Sequence, residues 1–578
     1  MGMFDKEAAN TKEILKRIEN YRREGGEALD LSNLDMTELP SEILDLKGIT
    51  ALDLSYTGLQ ALPDWIGNLS ALEELNLTDT EIKTFPESFG NLKSLRVLRV
   101  EKRYEEIVAK EDIFEYPLYG EGDVQIDEPL RFPESFGNLS SLEKLYITCN
   151  IAKFPESFGN LRALKTLYLS FWVQKMYRNK KGSSYGRHIF AINDFTALPE
   201  SFGNLESLES FTIDGGNITT LPDSFRNLSA LKDLSIKRTQ LVSLPDSIGK
   251  LHNLEKLKIN AAIEVVPDWI SKLSAVKELD ITSGTLKILP DQISCLPSLT
   301  YLDIDCNMLT ALPKNIGNLK TLKHLNICAK SLKVLPDSIG NLPLLEILDI
   351  RRSPLSSLPD SIGNLNSLVR LMLWQTRIKT LPDSIGNLPK LRKLGLVYCA
   401  RLEFLPETIG NLQSLKTLYV CGGKIMAIPE SIGNIASLVS LEFQNTSIAK
   451  LPDSIVNLGN LKYLGVYTSN YYNVDWTFGH PYSYSKTRKK SPFAVLPGTV
   501  SKLTGLKFLL LNNTKVTSLP DYLGDLPILQ KIEIIGCNIK TIPPSIQRRA
   551  DNKELFIIKT ESESHGHYHL MLRREHVR

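Results

Sequence analysis

A proline preceded by Leu, Phe, Ile or Val recurs at nearly regular intervals along this chain of 578 residues. These prolines stand at positions 40, 63, 86, 133, 155, 199, 222, 245, 267, 290, 313, 336, 359, 382, 406, 429, 452, 497, 520 and 543. Most intervals are 23 residues, and three exceed this by 24, 21 and 22 residues, which indicates three insertions. A period of this length means that one structural unit is repeated and that neighbouring units must stack to bury their apolar faces.

One repeat is enough to predict the local structure. A leucine stands at every second position between Arg370 and Trp374, which predicts a short strand with Leu371 and Leu373 facing the core. Arg370, Met372 and Trp374 then face away from the core. Pro382 ends the strand pattern, and Ile385 and Leu388 are expected to fill the core from the opposite side.

A hydroxyl side chain follows each strand in many repeats. It is Thr376 in this repeat, and the other repeats have Thr57, Thr80, Thr239, Thr446 and Thr514 at the same position. Because the chain turns here, we expect these hydroxyls to satisfy backbone groups that the strand leaves unpaired.

The combined pattern L-x-x-L-x-L-x-x-T-x-I-x-x-L-P-x-S-I-G-N-L resembles the leucine-rich-repeat superfamily over about residues 27 to 560. It is most similar to the Ras-group-related intracellular repeats, the repeats of plant disease-resistance receptors and bacterial repeat proteins, some of them secreted effectors. The resemblance implies an α/β-type solenoid: a horseshoe with one concave parallel β-sheet and a convex side of irregular and 3-10 structure. It also implies a non-enzymatic scaffold that binds a partner protein, in intracellular signalling or as a bacterial effector.

The repeat boundaries divide the chain into three segments. Residues 1–26 are predicted to form a helix that caps the first repeat, and a partner-binding amphipathic helix is the alternative. Residues 27–559 are predicted to form one continuous solenoid of about twenty-one strands. Residues 560–578 form a cap or tail, with a last strand expected near 554–559.

The three insertions occupy about residues 102–125, 171–191 and 468–489, and each begins where a strand ends. They should therefore leave from the same edge of the solenoid. The first is acidic and the second basic, so we expect these two to touch, with Lys180 and Lys181 contributing. The third is rich in aromatic residues set among Ser, Asn and Gly, a composition typical of an adaptable recognition loop.

Charged residues dominate the outward strand positions in the middle of the chain. Parallel register should set Lys256 beside Glu278 and Lys258 beside Asp280. Negative charge is in surplus at Asp280, Asp303 and Asp305. These carboxylates form either a solvated face or a site for a cation or a basic partner patch. An open wall of this kind does not desolvate its acids, which argues against catalysis by them.

Large apolar and aromatic residues take over the outward positions after about residue 370. We predict that a partner binds here, because aromatic anchors concentrate interface energy. The candidate partner-binding residues are Arg370, Met372, Trp374, Tyr419, Tyr463, Tyr467, Phe508 and Leu510 on the strands, with Tyr471, Tyr472 and Trp476 in the third insertion. The alternative is that the third insertion folds over the strand residues.

Other features argue against enzymatic, metal-binding and membrane functions. His324 and Cys328 share a strand face but lie about 13 Å apart, too far for a base and its nucleophile. His565, His567 and His569 alternate in the C-terminal segment, either as a solvated tail or as ligands for zinc or nickel. We predict no cofactor. A net charge of +2 provides no global field for nucleic acid or membranes, so binding of nucleic acid or carbohydrate through the basic and aromatic insertions is the secondary hypothesis.

The sequence also bounds the cellular setting. Seven scattered cysteines indicate a reducing compartment. No apolar signal segment and no run of 18 apolar residues is present, so we expect a cytoplasmic protein, or one exported without a classical signal, and favour a monomer.

Overall fold

The computed structural model describes residues 3–46, 48–102, 104–108, 128–178, 184–190, 195–468 and 490–559. These residues belong to two compact units. The first unit comprises Met1–Leu286 with Leu296–Leu299, and the second comprises Lys287–Cys295 with Thr300–Arg578. The single continuous solenoid expected from the sequence stays a prediction.

The first unit contains one helix and thirteen strands. They are α1 (Met3–Glu24), β1 (Ala28–Asp30), β2 (Ala51–Asp53), β3 (Glu74–Asn76), β4 (Val97–Glu101), β5 (Tyr104–Val108), β6 (Lys144–Thr148), β7 (Thr166–Ser170), β8 (Trp172–Arg178), β9 (Ser184–Phe190), β10 (Ser210–Asp214), β11 (Asp233–Thr239), β12 (Lys256–Ala261) and β13 (Glu278–Ser283). Apart from β5, β8 and β9, the strands of this unit pair in parallel with one another in the order of the repeats, as Leu52 with Leu75.

The second unit contains eleven strands and one helix. They are β14 (Tyr301–Cys306), β15 (His324–Cys328), β16 (Ile347–Arg351), β17 (Arg370–Trp374), β18 (Lys393–Val397), β19 (Thr417–Cys421), β20 (Ser440–Gln444), β21 (Tyr463–Tyr467), β22 (Phe508–Leu510), β23 (Lys531–Glu533), α2 (Pro544–Asp551) and β24 (Phe556–Ile558). Each strand is again parallel to its neighbour, so equivalent positions of successive repeats lie side by side.

A short 3-10 helix follows the proline of nearly every repeat and closes the core opposite the sheet. In the first unit these helices are Ser41–Asp45, Asp64–Asn68, Glu87–Asn91, Glu134–Asn138, Glu156–Asn160, Glu200–Asn204, Asp223–Asn227, Asp246–Lys250 and Asp268–Lys272. In the second unit they are Asp291–Cys295, Ile316–Asn318, Asp337–Asn341, Asp360–Asn364, Asp383–Asn387, Glu407–Asn411, Glu430–Asn434, Asp453–Asn457, Gly498–Lys502 and Asp521–Asp525. The fixed φ of proline places the chain in the extended conformation that precedes each turn, as at Pro382 with φ −67°.

The predicted division between core and surface is confirmed in the repeat analysed above. Leu371, Leu373 and Ile385 are fully buried, and Leu388 is 1% exposed. The predicted role of the threonines is confirmed only in part. The hydroxyls of Thr57, Thr80 and Thr514 donate to the backbone carbonyls three residues earlier. Thr376 instead contacts the Cys399 thiol at 3.2 Å.

A helix lies near each described end of the repeat region. In α1, Ile14 and Ile18 are buried, and Arg17 donates to the carbonyls of Asp30 and Ser32 beside β1 at 3.1 and 3.2 Å. At the other end, Arg549 of α2 donates to three backbone carbonyls of the preceding repeat, those of Gly524, Leu526 and Leu529. The strand expected near 554–559 is β24, which pairs with β23.

The first two insertions meet, as predicted. Strand β5 of the first insertion pairs in parallel with β8 of the second, and β8 continues into the antiparallel strand β9. The contact is therefore a three-stranded sheet separate from the repeat strands. Lys180, Lys181 and the third insertion from 469 to 489 lie outside the described residues, as do His565, His567 and His569.

Candidate functional site

The candidate site is the solvent face of β17 to β22 in the second unit. Parallel register aligns the outward residues into rows that cross the strands. One row runs from Met372 through Gly395 to Tyr419, and the next runs from Trp374 through Val397 to Cys421. The side chains of each row are neighbours at about the 4.8 Å spacing of adjacent strands.

Trp374 ends β17 and is half-buried. Its ring lies 6.2 Å from the ring of Tyr398, at an interplanar angle of 54°. Tyr398 follows β18 and adopts a left-handed backbone with φ 54°, the conformation in which the chain turns away from the strand. One turn residue thus supports one side of the indole, while part of the indole stays accessible.

Met372 lies across a glycine of the next strand. A Cβ atom on Gly395 would come within 2.4 Å of both Sδ and Cε of Met372. The missing side chain of Gly395 therefore creates the space that the methionine occupies. Because thioether side chains adapt to irregular surfaces, Met372 forms a half-buried apolar floor beside Trp374.

Arg370 does not act as an isolated cation. Its guanidinium lies 3.0 Å from Oδ2 of Asp349, and Arg351 approaches the same oxygen at 3.5 Å. Asp349 is only 2% exposed. Burial raises the pKa of Asp349, and the two arginines oppose this increase. The charge of Arg370 is thus largely used to stabilise a buried carboxylate.

Two of the predicted anchors are not exposed. Tyr467 is 3% exposed and Leu510 is 8% exposed, so the expectation that strand alternation leaves them open to solvent is wrong. Tyr467 packs close to Gly465, and its hydroxyl donates to Oε2 of Glu442 at 3.1 Å. Gly465, two residues earlier on the same strand, leaves room for the Tyr467 ring. Glu442, on the adjacent strand, accepts its hydrogen bond, so the ring lies flat against the sheet.

Tyr419 is also held in place by a polar partner. Its hydroxyl donates to Oε1 of the fully buried Gln444. Burial raises the pKa of Tyr419 well above its ordinary value, so the phenol stays protonated and remains a donor. Tyr419 thus presents only part of its ring to solvent.

Tyr463 and Phe508 form a face-to-face stack on neighbouring strands. Their ring centroids are 4.6 Å apart, and the planes differ by 6°. Both residues are half-buried. Met372 and Trp374 are half-buried members of the predicted set as well, and we call Met372, Trp374, Tyr463 and Phe508 the apolar patch. Tyr471, Tyr472 and Trp476 lie outside the described residues.

The charged rows predicted in the middle of the chain pair in the expected register. Lys256 forms an ion pair with Glu278 at 3.0 Å, and Lys258 stands beside Asp280 in the ladder. In the second unit, Oδ2 of Asp303 accepts hydrogen bonds from Tyr301 and Asn326 at 3.1 and 3.2 Å. Within the described ranges, no group of three or more His, Cys, Asp or Glu residues is arranged to hold a metal ion.

The thiol beside these carboxylates is not poised as a nucleophile. Burial, reinforced by Asp305, raises the pKa of Cys328 to about 12. The reactive thiolate is therefore scarce at neutral pH. His324 lies on the same strand but stacks edge-on against Tyr301 at 6.0 Å.

The sequence alone did not identify the residues that contact and position the predicted anchors. Gly395 and Tyr398 lie 23 and 24 residues after Met372 and Trp374, and Glu442 lies 25 residues before Tyr467. A comparison of each outward residue with the residue one period away would have indicated Gly395, whereas Tyr398 lies one residue beyond that position. The hydrogen bond from Tyr467 depends on a side-chain rotamer, which the period does not predict.

Comparisons with known proteins agree with this architecture. The sequence pattern of the family described as leucine-rich repeat region matches residues 27–113, 190–285 and 305–424, together more than half of the chain. The search of curated proteins gives no match. Among the described residues, no helix has the length and apolar character needed to cross a membrane.

Solved structures resemble this chain at low sequence identity. A leucine-rich-repeat protein of Leptospira interrogans is 21% identical with a TM-score of 0.55, over 90% of this chain and 99% of that one. The Arabidopsis receptor kinase HAESA, in complex with the peptide hormone IDA and the co-receptor SERK1, is 17% identical with a TM-score of 0.48, over 92% and 89%. An internalin of Listeria monocytogenes is 18% identical with a TM-score of 0.43, over 62% and 88%. The matched repeats, their parallel strands and their 3-10 turns show that the chain belongs to the leucine-rich-repeat family.

Proposed function

We propose that this protein is a non-enzymatic scaffold that binds a partner protein through the solvent face of β17 to β22. The observation that carries the proposal is the apolar patch: Met372, Trp374, Tyr463 and Phe508 stand half-exposed on strands whose other face is the buried core. A folded protein keeps large aromatic side chains on an outward face at the cost of contact with water, and such residues are typical binding anchors.

The geometry supports a preorganised surface. The strand backbones are tied by continuous parallel ladders, and the side chains are wedged against a turn tyrosine, a glycine and each other. Little conformational entropy is therefore lost when a partner covers them. Leucine-rich-repeat proteins are commonly protein-binding scaffolds, and the HAESA structure contains a peptide hormone and a co-receptor.

The test is quantitative capture of partners by the intact chain, compared between wild type and Trp374→Ala. We expect any partner of this face to bind the variant roughly thirtyfold or more weakly, because truncation of an aromatic anchor costs about 2–4 kcal/mol. The melting temperature should change little, since the Trp374 side chain is half-buried on the face opposite the core.

Two matched variants make the result interpretable. Phe404→Ala removes an aromatic side chain that is 53% exposed and lies outside β17 to β22, so binding should be retained. Leu373→Ala empties a fully buried position next to Trp374 and should cost about 2–5 kcal/mol of stability. A partner that binds Trp374→Ala at full strength would place the interface elsewhere, with the basic second insertion as the next candidate. Steep weakening of binding with salt would favour the alternative of nucleic acid.

A further inference from the structure

A row of residues immediately before the repeat strands carries charge along one edge of the sheet. In the first unit the row alternates in sign over eight consecutive repeats: Glu73, Arg96, Glu143, Lys165, Glu209, Lys232, Glu255 and Lys277. Backbone hydrogen bonds link each residue to the next, as from Arg96 N–H to the Glu73 carbonyl at 2.7 Å. These side chains are therefore fixed as neighbours.

The alternation neutralises the edge in the first unit. Arg96 lies 3.5 Å from Glu73 and 3.0 Å from Glu143, and Lys165 lies 3.2 Å from Glu143. Two further pairs, Lys232 with Glu209 and Lys277 with Glu255, are both 2.9 Å apart. At this position of the first unit, every cation of the row therefore forms an ion pair with a carboxylate of a neighbouring repeat.

In the second unit, Lys323 and Glu346 form an ion pair of this kind at 3.7 Å, and the alternation ends after them. The next seven residues of the row are Val369, Arg392, Lys416, Val439, Lys462, Lys507 and Gln530, and the same backbone ladder joins them. Four are cations and none is an acid. We call Arg392, Lys416, Lys462 and Lys507 the basic edge.

Among the described residues, the segments that lead into the strands of the basic edge contain no acid. The five residues that lead into each of these strands, from 366–370 to 527–531, include no Asp or Glu in any of the seven repeats. Arg392, Lys416 and Lys462 are exposed, Lys507 is half-buried, and none of the four forms an ion pair among the described residues. Like charges held this close repel each other, so the arrangement lowers stability unless an anion covers it.

An aromatic surface borders the same edge. Tyr463 and Phe508 directly follow Lys462 and Lys507, and their stacked rings stand at the start of β21 and β22. A ligand on the basic edge would therefore meet cations on one side and a flat apolar surface on the other. This combination suits a chain with carboxylates and an occasional apolar side chain.

We propose that the basic edge binds an acidic, extended segment of a partner protein. From Arg392 to Lys507 the row crosses four strand spacings, roughly 19 Å, which about six residues of extended polypeptide would span. Alternate Asp or Glu side chains of such a segment would face the cations. A polypeptide is favoured over a nucleic acid because the whole chain is nearly neutral, at +2, and among the described residues a single aromatic stack, Tyr463 with Phe508, borders the cations. The proposal does not depend on the apolar patch as the main binding surface.

The test measures binding of a fluorescein-labelled decaglutamate peptide to the full chain by anisotropy at low salt. The variant Lys462→Glu with Lys507→Glu should weaken binding roughly tenfold, because two attractions become two repulsions of modest size each. A decaglutamine peptide should not bind detectably.

The control variant, Lys379→Glu with Lys424→Glu, makes the same change in net charge at two exposed positions away from the basic edge. Its affinity for decaglutamate should stay within about twofold of wild type. If the control weakens binding as much as the edge variant, the effect is one of global charge and the proposal is overturned. It is also overturned if a ten-residue oligothymidylate binds more tightly than decaglutamate and loses affinity in the edge variant.

Discussion

Gly363 lies close to the backbone of the next repeat. A Cβ atom at this position would lie 2.4 Å from the carbonyl oxygen of Ser384 in the next 3-10 turn. The glycine therefore sets how closely successive turns pack, which explains the recurrent Gly in the S-I-G-N motif. The backbone on both sides is hydrogen-bonded, so it has little room to move away.

Gly363→Ala should lower the free energy of unfolding by about 1–3 kcal/mol, because the added methyl group overpacks a backbone contact. Gly459→Ala is the matched control, since an added Cβ there meets nothing within 4 Å. Urea denaturation of both variants measures the difference. Equal stabilities would show that the turns separate more easily than their packing indicates.

At the residue scale, the sequence predicts which face of a strand a side chain lies on better than how much of that side chain is exposed to solvent. Period and alternation correctly placed Leu371 and Leu373 in the core and Trp374 outside it. They failed for Tyr467 because exposure also depends on the side chains around a residue, on its own strand and on the next. Gly465 leaves room for its ring, and Glu442 accepts its hydroxyl. Those contacts are set by rotamers, which a repeat consensus does not encode.

At the element scale, α1 meets the exposed edge of β1. The N–H of Leu31 bonds to Asp53 of β2, so the Asp30 carbonyl, on the opposite side of the same trans peptide, points to the unpaired edge. Arg17 donates to this carbonyl and to that of Ser32. We propose that the helix acts as a cap that removes a strand edge otherwise open to pairing.

Arg17→Met tests this role because it keeps the apolar stem and removes the donors. Stability should fall by about 1–3 kcal/mol, the usual cost of leaving polar groups without partners, and amide exchange should rise first in β1. Lys16→Met is the control at an adjacent residue whose side chain is 63% exposed. If β1 exchanges no faster in Arg17→Met than in Lys16→Met, the cap does not depend on these hydrogen bonds.

The insertions show what an element-scale prediction lacks. Their shared phase correctly indicated that the first two meet. It gave no sign that they do so through paired strands, since charge contrast specifies proximity and not backbone hydrogen bonding. Strand pairing between loops depends on their conformations, which have no repeat to guide them.

At the scale of the whole molecule, repetition made most of the fold predictable. One register, once known, orders every strand of a unit, so an error in one repeat is corrected by the next. The candidate site is less predictable because it arises where repeats differ from the consensus. The apolar patch was recognisable from residue type, whereas the basic edge is apparent only when equivalent positions of successive repeats are compared.

The alternating row of the first unit predicts a pH dependence of stability. Hydrogen bonds from Lys165, Lys232 and Lys277 are the main causes that lower the pKa values of Glu143, Glu209 and Glu255, respectively. Folded pKa values below the ordinary value mean that the carboxylates add stability above that value, which is lost as pH falls through the folded pKa.

The combined variant Glu143→Gln, Glu209→Gln and Glu255→Gln should therefore lose less melting temperature than wild type between about pH 6 and about pH 3.5. The control replaces Glu134, Glu156 and Glu200, which form no ion pair among the described residues, with Gln. It should follow the wild-type profile. Matching profiles for both variants would mean that the alternating row does not stabilise the fold.

The two units should respond to salt in opposite directions, because the same position carries alternating charges in one and only cations in the second half of the other. Raising NaCl from about 20 mM to about 0.5 M shortens the screening length from roughly 20 Å to a few Å. Screening weakens attraction between Glu209 and Lys232 but relieves repulsion between Arg392 and Lys416. Amide exchange measured by mass spectrometry should therefore accelerate in β10 and β11 and slow in β18 and β19, with modest changes because all these side chains reach solvent.

A uniform change across both regions would show that general salt effects outweigh the rows. A slowing confined to β18 and β19 that disappears in Arg392→Gln with Lys416→Gln would assign it to the basic edge.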